Sequence, residues 1–277
     1  MRKIIAAAIA ILILTVIPIV CFAQVEGDFY ERDGHIFDQW HVCRTTAYGE
    51  HGFFQITRTA FRPVIAFESL GNYTGVAYEL GSELQTTYPD RIQRAEQIFY
   101  IARDRVRYTS DSAQFGYSEF AINADELADV IETKGIARGD CEDHAILLAV
   151  MYKGAGFRSA IVLAPGHAAA LVYLPDYKKA NTVLSFKGEV GWIWAEATGR
   201  NNPLGWMPER YFGARLAAYE VTAEPINLTE PSDGAQPAEV PSQTQTNASL
   251  VILPFMGIMF IIALPWLRSR LRRKRMQ

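Results

Sequence analysis

Residues 134–174 read KGIARGDCEDHAILLAVMYKGAGFRSAIVLAPGHAAALVYL, and this stretch decides the fold. The part from Cys141 to Lys153 is apolar and is closed by Gly154-Ala155-Gly156, which predicts a compact helix. The runs SAIVLA, HAAALVYL, NTVLSF and WIWAEA follow, each six to eight residues long, with short turns between them. Sequential strands with short connections predict an antiparallel sheet. A helix followed by such a sheet predicts an α+β fold in which the helix packs on the sheet.

Cys141 lies where a loop becomes the predicted helix. Asp140 is a good N-cap residue, so Cys141 is predicted to fall in the first helical turn. There the unpaired N–H groups and the helix dipole stabilise negative charge, and the thiolate is the reactive form of cysteine. The backbone N–H of Cys141 is also placed to face a developing oxyanion. We interpret Glu142 and Asp143 as partners of the helix dipole rather than as catalytic groups.

A cysteine nucleophile needs a base, and the base needs an acceptor that orients it. His167 follows Pro165-Gly166 and opens a predicted strand, from which its ring can reach the start of the helix. Glu196 lies in the WIWAEAT strand, where an unpaired buried carboxylate would be costly. We therefore expect His167 to satisfy Glu196. Together with the nucleophile, these residues predict a catalytic site of Cys141, His167 and Glu196.

These residues resemble the transglutaminase-like superfamily, which is related in fold to the papain-type cysteine proteases. The resemblance covers about residues 86–210 and includes the preceding run QRAEQIFYIARDRVRYTSD. The family pattern has a Cys at a helix start after a Gly-x pair, a His that opens a strand, and an acid before Thr in a Trp-rich strand. Cys141, His167 and Glu196 fall on these three positions. The acid of the family is usually Asp, so Glu196 departs from the pattern by one methylene group.

The resemblance implies a cysteine-dependent enzyme that transfers the acyl group of an amide through a thioester intermediate. Its substrate would be a protein or peptide, and we expect a peptidase, since the sequence has no evident site for an acceptor amine. No cofactor and no metal are expected. The family often has a second oxyanion donor, an aromatic or amide side chain upstream of the cysteine, which the sequence does not identify.

Three alternatives remain open at this point. The first is a catalytically inactive binding or scaffolding domain of the same fold, which Glu in place of Asp permits. The second is a disulfide between Cys43 and Cys141, the ordinary interpretation of two cysteines outside the cytoplasm. The third is a metal site of Cys141, His144 and His167. The spacing of Cys141 and His144 equally fits a histidine that only packs or forms hydrogen bonds.

Both ends of the chain carry apolar segments flanked by basic residues. Residues 1–23 combine Arg2-Lys3 with an apolar run and predict a signal peptide, with a retained N-terminal anchor as the alternative. Residues 250–267 hold no charge and predict a transmembrane helix. Residues 268–277 carry six basic residues and predict a cytoplasmic tail. The region between the two ends is therefore predicted to be extracytoplasmic and anchored to the cell membrane.

The region between these ends divides by composition. Residues 24–85 are predicted to be an N-terminal extension with short strands, residues 86–223 the transglutaminase-like domain, and residues 224–249 a Pro/Ser/Thr-rich linker. Helices are predicted from Val76 and from Pro89-Asp90. Taking the two basic residues of the N-terminus and the six of the tail from 27 leaves 19 against 30 acidic residues, a net charge of −11. An acidic domain is a poor partner for anionic polymers, so no nucleic-acid partner is expected.

Overall fold

The computed structural model of the chain describes residues 29–38, 42–45, 75–222 and 236–239. The predicted signal (1–23), transmembrane helix (250–267) and cytoplasmic tail (268–277) lie outside these described residues. Within the described ranges, none of the helices combines the length and the apolar composition that a membrane crossing requires. The chain divides into two units, 1–241 and 242–277, and every element described below belongs to the first.

The helices of the described region precede most of its strands. They are α1 Val76–Thr87, α2 Arg91–Arg105, α3 Asp111–Gln114, α4 Ala124–Lys134 and α5 Cys141–Gly154. α2 begins where the sequence predicts, because the side chain of Asp90 accepts a hydrogen bond from the backbone N–H of Gln93 at 2.7 Å. Ala95, Phe99 and Ala102 of α2 are fully buried, as expected for the apolar face of a helix.

Two glycines let α1 and α5 cross at close range. A Cβ atom at Gly81 would lie 2.1 Å from the carbonyl oxygen of Met151, and one at Gly154 would lie 2.0 Å from the carbonyl oxygen of Tyr78. Any side chain at either position would therefore push the two helices apart. Because α5 begins with Cys141, this crossing fixes the helix that carries the predicted nucleophile.

Two small sheets stand apart from the main sheet. β1 (Tyr30–Arg32) and β2 (His35–Phe37) form an antiparallel hairpin in the N-terminal extension. β3 (Val106–Tyr108) and β4 (Ala137–Gly139) pair in parallel. This second pair leads the chain directly into α5, so it positions the loop before Cys141.

The strands that follow α5 close into an antiparallel barrel. They are β5 Ser159–Ala164, β6 His167–Tyr173, β7 Leu184–Phe186, β8 Glu189–Ala195, β9 Leu216–Glu220 and β10 Gln236–Glu239, in the spatial order β10-β7-β8-β6-β5-β9. The four predicted antiparallel strands are present as β5 to β8. β9 and β10 complete a closed barrel, which the sequence analysis did not predict.

β10 lies inside residues 224–249, the segment predicted to be an extended linker. Ala238 of β10 pairs with Phe186 of β7 on one side and with Leu216 of β9 on the other. Its side chain is only 3% exposed, so the linker prediction is wrong for the four residues of this strand. The physical reason is that backbone pairing on both sides, with one small buried side chain, needs no run of large apolar residues. The prediction had relied on the absence of such a run.

Alternate residues of the barrel strands pack in two different hydrophobic cores. Trp192 and Trp194 of β8 belong to the core inside the barrel, whereas Ile193 and Ala195 belong to the layer between the barrel and the helices. This is the period-two alternation of a strand that is covered on both faces. Both tryptophans are 0% exposed, so they are core residues. α5 packs on the outer face of β5 and β6, which is the predicted arrangement of a helix on a sheet.

Candidate active site

Cys141 is the first residue of α5, and it is partly buried. Asp140 is the N-cap, as predicted, and its backbone N–H donates to Oδ2 of Asp143 at 3.0 Å. Gly139 makes this turn possible, because a Cβ there would lie 2.7 Å from the Cβ of Asp143. The other carboxylate oxygen of Asp143 accepts the backbone N–H of Ile122 at 2.8 Å. The helix start that carries the thiol is therefore held in place by a buried carboxyl group.

The barrel brings the two other predicted residues together. His167 opens β6 and Glu196 directly follows β8, and these strands pair with Ala170 opposite Ala195. Nε2 of His167 forms a hydrogen bond with Oε2 of Glu196. The hydroxyl of Thr198 donates to Oε1 of Glu196. Glu196 is only 4% exposed, so its carboxylate is buried. Both of its oxygens have hydrogen-bond partners within the protein, as buried polar groups require.

His167 also interacts with Cys141. Burial lowers the pKa of His167, but its interactions with Cys141 and Glu196 raise it to about 9. Burial alone would raise the pKa of Glu196, but the hydrogen bond and the charge of His167 hold it below its usual value. With Nε2 directed at Glu196, Nδ1 is the nitrogen left for the thiol. His167 is thus hydrogen-bonded to Glu196 and interacts with Cys141, whose thiol donates its own hydrogen bond to Glu142.

Tyr211 packs against the ring of His167. The two ring centroids are 5.7 Å apart and the ring planes differ by only 3°. Tyr211 ends a short 3₁₀ turn and is buried, and its ring also contacts Trp194 at a centroid distance of 5.7 Å. Stacking on a ring that is itself held in the barrel core restricts the orientation of the imidazole. Tyr211 could not be identified from the sequence, since only the folded barrel brings it next to His167.

A second group of side chains lies beside the thiol. We call it the acidic cluster, and its members are Asp111, Asp140, Glu142 and Asp143. Each offers one carboxylate oxygen, and these oxygens all lie within 4.8 Å of one another. The thiol of Cys141 donates a hydrogen bond to Oε2 of Glu142 at 3.3 Å. Glu142 and Asp143 are buried, with 1% and 0% of their surface exposed. The interpretation of both residues as partners of the helix dipole did not predict this burial.

Like charge and burial together raise the pKa values in the acidic cluster. For Asp111, burial and then the charge of Asp140 raise the pKa to about 7. Burial is also the main cause that raises the pKa of Glu142 and of Asp143 well above the usual range of a carboxyl group. Neighbouring carboxylates add to the shift in both cases. Four full negative charges in this volume therefore require protons or a compensating positive charge.

Two of the alternatives raised by the sequence do not match the structure. Nδ1 of His144 lies 2.6 Å from the carbonyl oxygen of Asp140, and Nε2 lies 3.3 Å from that of Val106. Both ring nitrogens face backbone acceptors, so His144 is a hydrogen-bonding core residue and does not join the nucleophile and the base as a metal ligand. Cys43 and Cys141 are both free thiols, so the disulfide is not formed.

Two further residues beside the site, in addition to Tyr211, were not identified from the sequence. Asp111 enters through α3, where its Oδ2 accepts the backbone N–H of Phe120 at 2.6 Å. Tyr108 ends β3 opposite Gly139 and is 55% exposed. Burial, followed by the charges of Asp140 and Cys141, raises the pKa of Tyr108. The parallel pairing of β3 and β4 brings Tyr108 to the site, and no local pattern of the sequence indicated that pairing.

Comparison with known proteins identifies the family of this domain. Residues 78–208 match the family model of the transglutaminase-like superfamily. The match begins before the predicted boundary at residue 86 and so includes most of α1, which packs on α5. It also contains Cys141, His167 and Glu196. No curated protein matches the chain significantly. Residues 78–208 therefore form a transglutaminase-like superfamily domain with an α+β architecture.

Proposed function

We propose that this chain is a cysteine-dependent acyl-transfer enzyme that hydrolyses an amide bond of a protein or peptide substrate. The observation that carries the proposal is that His167 is hydrogen-bonded to the buried carboxylate of Glu196 and interacts with Cys141 at the start of α5. A thiol at a helix start, beside a histidine that a buried carboxylate orients, is an arrangement that generates a reactive thiolate. A transglutaminase-like domain is compatible with this chemistry.

In the first half of the reaction, the proton of the Cys141 thiol resides on His167. The sulfur attacks the amide carbonyl carbon, a C–S bond forms, and the carbonyl oxygen takes up the negative charge. The backbone N–H of Cys141, at the N-terminus of α5, is placed to stabilise that oxyanion. His167 then donates its proton to the amide nitrogen, the C–N bond breaks, and the amine leaves behind a thioester on Cys141.

In the second half, His167 takes a proton from a water molecule while the water oxygen attacks the thioester carbonyl. The C–S bond breaks, the product leaves as a carboxylic acid, and the proton returns to the sulfur. An amine in place of water would give a new amide, which is transamidation. Glu196 does not touch the reacting atoms in this scheme. It acts through His167, whose ring it orients and whose positive charge it stabilises.

We also propose that the reaction takes place outside the cytoplasm, with the domain held at the membrane by the apolar segment 250–267. The support for this location is the sequence alone: the uncharged run and the six basic residues that follow it.

A second function, that of a non-catalytic binding domain, is favoured by one contact. The carboxyl group of Glu142 lies 3.3 Å from the sulfur of Cys141. When it is ionised, it opposes formation of the thiolate. If that opposition is never relieved, the fold would serve to bind a partner without cleaving it.

The test is to incubate the full-length chain with a mixture of unstructured peptides in oxygen-18 water and to analyse the products by mass spectrometry. We expect new C-termini that carry the heavy isotope. Cys141→Ala should abolish these products. Cys43→Ala is the matched control, since Cys43 is also a free and partly buried thiol, and it should leave them unchanged.

The same experiment separates the alternatives. Products joined to an added primary amine would assign transamidation instead of hydrolysis. If the folded wild-type chain gives neither product and Cys141 alkylates no faster than Cys43, the catalytic proposal is wrong and the binding domain remains.

A further inference from the structure

Two arginines lie side by side on the small parallel sheet that leads into α5. Arg107 of β3 is paired with Arg138 of β4 in the register of this sheet, and both side chains are exposed. The preceding residues of the two strands, Val106 and Ala137, are paired in the same way and are buried. Because successive residues of a strand point to opposite faces, the two arginines share the outer face of the sheet.

The outer face carries a third arginine and one apolar side chain. Arg105 ends α2, and its Nη1 donates to the carbonyl oxygen of Gly135 at 3.3 Å. Ile136 follows Gly135 in the chain and is 45% exposed. We call Arg105, Arg107, Ile136 and Arg138 the arginine face. It combines three positive charges with an apolar surface.

The charges of the arginine face are not compensated within the protein. In the part of the chain that the structure describes, none of its three arginines forms an ion pair with an acidic side chain. Arg105 lies at the end of a helix, where a cation interacts favourably with the helix dipole. Arg107 and Arg138 lie in strands, where like charges directly opposite each other are destabilising. An anion that contacts both guanidinium groups would stabilise the pair.

The arginine face adjoins the thiol. Tyr108, the residue after Arg107, is exposed and interacts electrostatically with Cys141. Arg138 precedes Cys141 by three residues, so their Cα atoms are at most about 11 Å apart. An extended peptide advances about 3.3 Å per residue. A peptide with its scissile carbonyl at Cys141 therefore reaches the arginine face with a side chain a few residues away.

We propose that the arginine face binds an aspartate or glutamate side chain of the peptide substrate, within about four residues of the scissile bond. The inference rests on the proposed function and names its substrate class, acidic peptide segments. A guanidinium group binds a carboxylate through two parallel N–H···O hydrogen bonds. Paired strands are about 4.8 Å apart, so one carboxylate can contact both Arg107 and Arg138. Ile136 offers an apolar contact to the aliphatic part of the substrate.

The charge of the rest of the domain favours a short acidic ligand over an extended anionic surface. The region between the two apolar ends has a net charge of −11, so it repels a large anionic polymer or membrane. A single acidic side chain interacts mainly with the nearest charges, because the screening length in physiological salt is about 8 Å. Asp111, Glu142 and Asp143 of the acidic cluster are buried, whereas Arg107 and Arg138 are exposed. An approaching carboxylate therefore meets the arginines.

Binding is tested without catalysis, in the full-length chain carrying Cys141→Ala. The probe is a short peptide of alternating Glu and Ala with a photo-activated cross-linker at one end, and the control peptide has Gln in place of Glu. Mass spectrometry of the cross-links separates the arginine face from the basic tail 268–277, which also attracts acidic peptides. We expect the Glu peptide to cross-link within 105–108 and 135–138, and the Gln peptide to cross-link there much less.

Variants identify the groups that bind. Arg107→Gln combined with Arg138→Gln should weaken the binding that leads to these cross-links by about tenfold or more. Both positions are exposed, and the change removes two opposed like charges, so the thermal unfolding midpoint should not fall. Arg107→Glu combined with Arg138→Glu should transfer the preference to a Lys/Ala peptide. Lys178→Gln is the control: it removes an exposed cation after β6, beyond the end of that strand away from His167, and should change nothing.

The oxygen-18 experiment gives a second readout. Peptides cleaved by the wild-type chain should carry Asp or Glu within about four residues of the cleaved bond more often than the starting mixture does. The double Gln variant should raise KM several-fold for such peptides and leave kcat unchanged, since the arginine face does not touch the reacting atoms. A chain that binds the Glu peptide at the arginine face but cleaves nothing would contradict the proposed function and support the arginine face as a binding surface.

Three results would overturn the inference. One is equal cross-linking of the Glu and Gln peptides at the arginine face. Another is cross-linking of the Glu peptide that the double Gln variant leaves unchanged, or that is confined to the tail 268–277. The third is a double Gln variant that loses binding to phosphatidylserine vesicles but not to the Glu peptide, which would assign the arginine face to a membrane surface.

Discussion

Two groups of titratable side chains interact with Cys141, and they differ in how their charges are arranged. On the barrel side, His167 lies between the thiol and Glu196, so each charge has an opposite charge as its neighbour. On the helical side, the acidic cluster places like charges together, and the thiol donates to one of them. On the barrel side, both carboxylate oxygens of Glu196 have a hydrogen-bond partner. The helical side leaves three buried oxygens without a partner.

The difference shows in which part of the site the charges are compensated within the folded protein. Oppositely charged partners stabilise each other, so the His167–Glu196 pair needs nothing from outside. Like charges that are buried together raise one another's energy and need an external positive charge or protons. We therefore expect substitution of Glu196 to destabilise the protein. Substitutions that neutralise a member of the acidic cluster should instead stabilise it.

The largest effect should come from removing the base. His167→Ala deprives Cys141 of its proton acceptor and of the cation beside it, so peptide cleavage should fall by about 10³-fold or more. The measurement is the cleavage rate with whichever peptide the oxygen-18 experiment yields. Retention of more than a tenth of the wild-type rate in a folded variant would exclude His167 as the base.

The orienting acid should have the next largest effect. Glu196→Gln keeps the shape of the side chain but removes the charge that stabilises protonated His167, so the cleavage rate should fall by roughly 10²-fold. Glu196→Asp shortens the side chain by one methylene and tests whether this site accepts the residue that is usual in the family. We expect Asp to retain more activity than Gln, and the reverse order would show that length outweighs charge here.

A comparison of stabilities tests the two sides directly. Glu196→Gln should lower the free energy of unfolding by about 1–3 kcal/mol, since it leaves His167 without its charged partner. Glu142→Gln should raise it by on the order of 1 kcal/mol, because it removes the cost of keeping a crowded, buried carboxyl group either charged or protonated. Urea unfolding gives both values. Changes of the same sign would invalidate the contrast between the two sides.

The smallest effect concerns the stacking of Tyr211 on His167. Tyr211→Phe keeps the ring and should change the cleavage rate less than twofold, whereas Tyr211→Leu removes the stacking partner and should lower kcat about threefold to tenfold. The matched pair isolates the ring from the hydroxyl group. An equal loss in both variants would mean that the hydroxyl, not the stacking, matters.

Much of the architecture could be predicted because its signals are local. Short stretches of sequence predict the helix and the strands that carry the site. They are the apolar run after Asp140, the Pro-Gly before His167 and the strand around Trp194. The pairing of His167 with Glu196 followed from one physical argument, that a carboxylate in a tryptophan-rich strand needs a partner. These predictions did not require knowledge of the tertiary structure.

The parts that could not be predicted depend on pairings between distant segments. Closure of the barrel rests on β10, whose only buried apolar side chain described is the small Ala238. Asp111 reaches the acidic cluster because its carboxylate anchors the backbone of Phe120, a contact with no local pattern. The sequence places Glu142 and Asp143 in a first helical turn, where acidic residues commonly interact with the helix dipole. That explanation gives no indication that the two side chains are buried.

The measurement that most directly tests the central claim is the pH dependence of Cys141 alkylation, followed by peptide mass spectrometry in wild type and in His167→Ala. The pKa of His167 is raised to about 9 from 6.5, so the ring stays protonated beside the thiol well above neutrality. The stability that this proton contributes is complete below about pH 6.5 and is lost as the pH rises through about 9.

We therefore predict rapid alkylation of wild-type Cys141 already at about pH 6 to 7, where a free thiol is almost fully protonated. In His167→Ala the rate should instead rise only towards about pH 8.5, as for an ordinary thiol. Cys43 serves as the internal reference in both proteins. Coinciding profiles for wild type and His167→Ala would contradict the claim that His167 and Glu196 activate Cys141.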